Sequence, residues 1–180
     1  CSSDLDMLSS FAGFGEEPMA EVSSNRNVNR QFRLKKRPSG KIQRSDFDFV
    51  ESPIPQPGPG EVLFRTLYLS MEPIYRLWLT DTDHDLPPVA IGDVVRGVGL
   101  ARVVASNNEA WKVGDLGSGM FGWQDYAVPP APGLARVARI PANLPVPLRA
   151  TMGSCGSTGF CAYFGLLDIG KPKEIGRAHV

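Results

Sequence analysis

Histidine and cysteine are scarce in this chain of 180 residues, which holds two His and three Cys. Three thiols cannot build a framework of several disulfides, so the composition points to a reducing compartment, and a cytoplasmic location is expected. An excess of one charge is also lacking, because 19 Lys and Arg balance 19 Asp and Glu. Nucleic acid and anionic lipid select for a basic excess, so neither partner is expected. No apolar run approaches the roughly 20 residues that a bilayer requires, and the N-terminus lacks the basic-then-apolar order of a signal peptide. What the chain has in plenty is turn chemistry, 19 Gly and 16 Pro, as in a soluble globular protein of short segments.

The two ends stand apart. Residues 1–5 read Cys-Ser-Ser-Asp-Leu and residues 174–178 read Glu-Ile-Gly-Arg-Ala. With permitted codons, one string is the reverse complement of the other, and both look like translated sequencing-adapter DNA. Residues 1–5 and 174–180 are therefore set outside the fold, and the natural chain is expected to continue past Lys173. Residues 6–29 are aperiodic and polar toward their end, reading as leader or disordered chain, with Met19 as a natural start.

Alternation of Phe32 and Leu34 with Arg33 and Lys35 predicts a half-buried strand over 31–36, and Pro38-Ser39-Gly40 turns the chain. A second strand is expected over 46–51, where Phe47 and Phe49 alternate with Asp46 and Asp48. The prolines of 53–60 cannot sit inside a sheet. Residues 61–71 (EVLFRTLYLSM) give the strongest strand signal. A helical turn opened by Pro73 is expected over 72–79. Further strands are expected near 94–105, 123–128 and 135–140, separated by Gly-rich or Pro-rich turns. Short strands joined this way indicate a mainly β barrel or sandwich. From Leu148 to Leu167 the apolar spacing turns helical, with Ser157 and Thr158 as candidate caps and Gly170 before Pro172 as a stop.

Metal chemistry is disfavoured by residue type. A catalytic zinc needs three ligands from Cys, His, Asp or Glu, and within residues 6–173 the only His and Cys are His84, Cys155 and Cys161. His84 lies in Asp81-Thr82-Asp83-His84-Asp85 beside two prolines, which reads as a solvated acidic loop rather than a metal cluster. Cys155 and Cys161 are six apart, off one helical face, and read as small core residues. Residues 153–159 (GSCGSTG) imitate a phosphate loop but lack the Lys it requires. The basic stretch from Arg26 to Arg44 carries no acid; the solvent face of an edge strand is favoured over a nucleic-acid arm.

Four blocks carry a family resemblance: Leu67-Tyr68-Leu69-Ser70-Met71-Glu72-Pro73, Val113-Gly114-Asp115, residues 119–127 (GMFGWQDYA) and residues 162–173 (AYFGLLDIGKPK). Over about residues 30–173 the chain resembles the zinc-free medium-chain reductases. Its branch is that of NADP-dependent alkenal double-bond reductases, prostaglandin reductases of the leukotriene B4 12-hydroxydehydrogenase type, and curcumin reductases. The resemblance implies a GroES-like β-barrel catalytic domain over 30–147 and the opening helices of a truncated Rossmann domain over 148–173. It implies hydride transfer from NADPH to the β-carbon of an α,β-unsaturated aldehyde or ketone, with the enolate oxygen stabilised by hydrogen-bond donors in place of metal. The main NADPH site would lie past Lys173, so this chain alone is expected to be inactive. A quinone reductase of the same superfamily and a non-catalytic β-barrel interaction module are the alternatives.

For site residues the resemblance is followed position by position. Family members carry Tyr directly after the Pro of the Ser-x-Asp-Pro element, where this chain has Ile74, with Glu72 for Asp and the hydroxyl one place later at Tyr75. Tyr75 is then either the donor to the substrate oxygen or a packing residue, and Ile74 shapes an apolar pocket. Arg76 matches the family and positions the loop. Met120, Trp123, Gln124 and Tyr126 are expected near the cleft, with Trp123 and Tyr126 equally fit to be core aromatics. Ser157 and Cys161 would lie on the nicotinamide side of a helix-start loop, where the family has Met and Thr. Homodimerisation of the full-length protein is left open.

Overall fold

The computed structural model describes residues 27–82 and 86–173. Among them, strands form two antiparallel sheets. In the smaller, β1 (Val28–Leu34) pairs with β2 (Phe47–Pro53), Val28 opposite Pro53 and Leu34 opposite Phe47. The larger contains β3 (Val62–Leu69), β4 (Val98–Ser106), β5 (Leu116–Met120), β6 (Tyr126–Ala127) and β7 (Ala138–Ile140), in the order β6-β3-β4-β5-β7. Helix α1 (Ile74–Trp78) follows β3, and α2 (Ala131–Leu134) links β6 to β7. After them come a 3-10 turn (Leu148–Met152), helix α3 (Ser157–Phe164) and a wider π turn (Gly165–Gly170).

Two apolar clusters hold the sheets. Phe64, with no exposed surface, centres the first, its ring 5.3 Å from Trp111 and 4.9 Å from Phe121. Val62, Ala101, Val103, Ala127 and Val137 complete that core. The second gathers Leu34, Tyr75, Trp78, Leu79, Val89 and Val95 under the small sheet. The sheets are stitched by single bridges, Gln31 to Gln124 and Arg33 to Val94, so residues 123–125 serve both: Phe32 N–H donates to Trp123 O at 2.9 Å and Thr66 N–H donates to Asp125 O at 2.8 Å.

Several sequence expectations change. Residues 116–120 (LGSGM) were expected within a turn and form β5 instead, because glycine is what this strand can hold there. A Cβ on Gly117 would lie 2.7 Å from Val137 Cγ1, and one on Gly119 would lie 2.9 Å from Val137 Cγ2. The strand expected over 123–128 shrinks to Tyr126–Ala127, since residues 123–125 bond to both sheets. Strand β1 starts at Val28, inside the stretch assigned to a leader, because Asn29 is buried and bonded. Neither Ser157 nor Thr158 caps α3; Gly156 holds the N-cap position without a side-chain bond. The chain leaves the π turn through Lys171 in the left-handed region, φ 44°, rather than through Gly170. Cys155 and Cys161 are both exposed, not core residues.

The basic stretch is largely spoken for within the fold. Lys35 pairs with Asp48 at 2.9 Å, Lys36 approaches Asp46 at 3.6 Å, and Arg37 donates to Val89 O at 2.5 Å. Arg30 clasps Asp125 with two bonds, 2.6 and 3.0 Å, and that hydrogen bond raises the guanidinium pKa.

At the β5–β7 edge, Asp115 accepts from Lys112 N–H at 2.9 Å and pairs with Arg139, whose guanidinium lies 4.3 Å over the Trp111 ring. The Lys112 amide, with Arg139 adding to it, depresses the carboxyl pKa. A depressed carboxyl contributes stability above its unfolded pKa of about 3.9 and loses it as pH falls through the lower folded value. Asp115→Asn should therefore flatten the acid limb of the melting temperature against pH below about pH 4. An acid limb unchanged by the substitution would show that the pair contributes nothing.

Candidate functional site

The start of β4 gathers the site. At Gly97 a Cβ would lie 2.7 Å from both Cδ1 and Nε1 of Trp123 and 3.6 Å from Cε2 of Tyr75. Having no side chain there lets the indole of Trp123 rest on the backbone beside the phenol ring.

Tyr75, on α1, is buried and stacks on Trp78 with centroids 5.1 Å apart. Its hydroxyl oxygen accepts from Val98 N–H at 2.9 Å. Burial pushes the phenol pKa up, while the hydrogen bonds from Val98 and with Ser70 pull it partly back. Ile74 packs on the same cluster as Trp123, and Met120 stands opposite Val98 in the β4–β5 register. Tyr75 and Trp123 therefore meet at Gly97, with Ile74 packed on the same cluster and Met120 paired with Val98 across the strands. Next to them Leu69, Met71 and Met120 remain 38%, 72% and 46% exposed, an apolar surface at the end of the sheet. Ser70, whose N–H donates to Val98 O at 2.9 Å, is in the midst of this surface and donates its hydroxyl to Glu72 Oε1 at 2.6 Å.

The other expected residues are tied into the fold by hydrogen bonds. Gln124 is consumed internally: its Oε1 accepts from Gln31 Nε2 at 2.9 Å and Asn29 Nδ2 at 3.3 Å, and its Nε2 donates to Phe121 O at 2.9 Å. Asn29 also brackets the backbone of Tyr126, donating to its carbonyl and accepting from its N–H, each at 2.9 Å. Sequence reasoning passed over Asn29 and Gln31. Their signal was two amides alternating along β1 on the side away from Phe32 and Leu34. Arg76 grips the turn after β1, donating from Nη2 to Gly40 O at 2.8 Å and Pro38 O at 3.3 Å.

A cleft of about 410 Å³ is lined by Phe32, Phe49, Thr66, Leu69, Trp123 and Gln124 among others. Phe32 and Phe49 lie 5.1 Å apart there. Thr66 Oγ1 and Trp123 Nε1 are buried without hydrogen-bond partners among the described residues.

Ser157 and Cys161 are exposed on α3, apart from this hub. In the preceding loop a Cβ on Gly156 would run into Thr151 O and one on Gly159 into Ser154 O, so only glycine fits at these two positions. Among the described residues, no three of His, Cys, Asp and Glu come together as a metal site; His84, with Asp83 and Asp85, lies outside the described residues. Nor is any described helix long and apolar enough to cross a membrane.

Comparison with known proteins fits this geometry. A family model described as the N-terminal domain of oxidoreductase matches residues 30–137. The NADPH-dependent curcumin reductase of Escherichia coli is 41% identical over 153 residues, covering 85% of this chain and 43% of that protein. Prostaglandin reductase 1 of Rattus norvegicus is 34% identical over 138 residues, 76% of this chain and 39% of that protein. Among solved structures, CurA from Vibrio vulnificus, known also in complex with NADPH, superposes with a TM-score of 0.70 at 38% identity, covering 81% of this chain and 42% of CurA. The chain spans less than half the length of these relatives. With the match over most of its sheets and a GroES-like domain as its fold, the chain belongs to the N-terminal oxidoreductase-domain family, in the zinc-free medium-chain branch of NADP-dependent reductases.

Proposed function

We propose that this chain supplies the catalytic-domain side of an NADPH-dependent oxidoreductase that reduces the C=C bond of α,β-unsaturated aldehydes or ketones. The observation that supports this best is the hub at Gly97 and Val98, where hydroxyls and an exposed apolar surface adjoin. When hydride adds to the β-carbon of such a substrate, charge collects on its oxygen, and preorganised donors at that oxygen lower the barrier. Leu69, Met71 and Met120 offer apolar contact to the carbon skeleton, Ile74 backs the pocket, and Tyr75 with Ser70 supplies hydroxyls. Ser157 and Cys161 are left as peripheral neighbours of the nicotinamide. NADPH itself is read as held mainly by residues outside the described ones, since the loop at 153–159 lacks the Lys of a phosphate loop. We take residues 30–147 as the catalytic domain and 148–173 as the opening of a Rossmann domain. The whole protein is read as a cytoplasmic enzyme acting on a small molecule, with homodimerisation open.

The test is consumption of NADPH with a conjugated enal such as cinnamaldehyde, by the protein encoded by the uncut transcript. Turnover is expected there and none with the 180-residue chain. Quinone reduction without enal reduction by the longer protein, or turnover by the short chain, would refute the proposal.

A further inference from the structure

The two hydroxyls at the hub have different partners. Val98 N–H donates to the Tyr75 oxygen at 2.9 Å. Ser70 donates its hydrogen to Glu72 Oε1 at 2.6 Å. A hydrogen bond that ends on a charge is shorter and stronger than a neutral one.

The carboxylate end of this bond is open to solvent. Glu72 is exposed, as are the apolar Leu69 and Met71 on either side of Ser70. Tyr75 is only 4% exposed, so a substrate oxygen meets Ser70 before it could meet the phenol. A carboxylate oxygen and an enolate oxygen make the same demand on a donor, a partial or full negative charge held at hydrogen-bond distance. We infer that Ser70 is the catalytic hydrogen-bond donor to the reacting oxygen, and that Glu72 fills, in the free protein, the place the enolate oxygen takes during reaction. Tyr75, which accepts from Val98 N–H, and the Ser70 N–H, which donates to Val98 O, both tie this corner to the start of β4. The inference rests on the reductase reading above. It adds a residue and a competition: substrate must displace an internal carboxylate.

4-Nitrophenolate, an oxyanion on a flat conjugated frame, is the probe, titrated into the 180-residue chain and followed by its absorbance. Glu72→Gln removes the competing anion and should tighten binding about tenfold, while Ser70→Ala should weaken it about tenfold or more, as expected for a hydrogen bond to a charge worth about 1.5–3 kcal/mol. Ser70→Thr keeps the hydroxyl and should restore binding, and a cooperative melt of each variant shows that it is folded. Equal affinity of Ser70→Ala and the parent chain would overturn the assignment of Ser70 and leave the reductase reading standing. No saturable binding to either the parent or Glu72→Gln would overturn the hub as an oxyanion site.

Discussion

Phe64→Ala is expected to destabilise the chain by about 3–5 kcal/mol, the range for emptying a fully buried aromatic site. Phe64 has no exposed surface and meets Trp111 edge-on at 5.3 Å and Phe121 at 4.9 Å, so its removal leaves two large rings without a neighbour. The strand cannot collapse to fill the gap. β3 is held on one side by β4 and on the other by β6, and Phe64 itself pairs with Val103 and Ala127. Against a total stability of about 5–15 kcal/mol, the loss should bring the urea midpoint close to zero or far below that of the parent chain. Equilibrium urea unfolding followed by far-UV circular dichroism measures it. A loss under about 1 kcal/mol, the size of a surface change, would show that the first cluster is not the core that closes the larger sheet.

Gly97→Ala is expected to have a smaller cost in stability but the larger one for the site. The added methyl would lie 2.7 Å from two atoms of the Trp123 ring, below any ordinary contact, while the Tyr75 ring stands 3.6 Å away on the other side. Overpacking of this kind costs about 1–3 kcal/mol. Trp123 has little room to retreat, since Phe32 lies edge-on at 6.2 Å and Phe47 at 5.7 Å. The indole must therefore tilt, or the start of β4 must move and take the Val98 amide away from the Tyr75 oxygen. The near-UV circular dichroism of the aromatic cluster should change, and the affinity for 4-nitrophenolate should fall about tenfold, the equivalent of one weakened bond of about 1.4 kcal/mol. An unchanged near-UV spectrum with unchanged affinity would show that Gly97 is not what brings Trp123 and Tyr75 together.

Much of the sheet framework was legible because it depends on local pattern. The strand from Val62 to Leu69 follows from its run of β-branched and aromatic residues, and Pro73 does precede a helical turn at Ile74–Trp78. β5 was hidden because its two glycines imitate a turn. They are there for the opposite reason, to let Val137 approach the strand, and that neighbour is 18 or more residues away in the chain. The site was legible in part for the same reason. Ile74, Tyr75, Met120 and Trp123 stood out by residue type and by resemblance, but that Tyr75 and Trp123 meet at Gly97 is set by tertiary packing between segments 22 and 26 residues to either side of it. Gln124, expected near the cleft, lines it and is also a structural node, because Asn29 and Gln31 lie 95 and 93 residues before it and bond its amide oxygen. Ser70 and Glu72 drew attention only as members of a motif. Their 2.6 Å bond joins side chains two residues apart, a link that residue identity alone does not declare.

Where the oxyanion binds is read most directly from backbone amide shifts of the 180-residue chain, labelled with nitrogen-15, as 4-nitrophenolate is added. Shifts that saturate at Ser70, Glu72, Val98 and Met120, with Gln124 and Asn29 unmoved, are the expected result. Shifts confined to the aromatic cleft at Phe32, Phe49 and Arg65, or no saturable shift at all, would contradict a reacting-oxygen site at the start of β4.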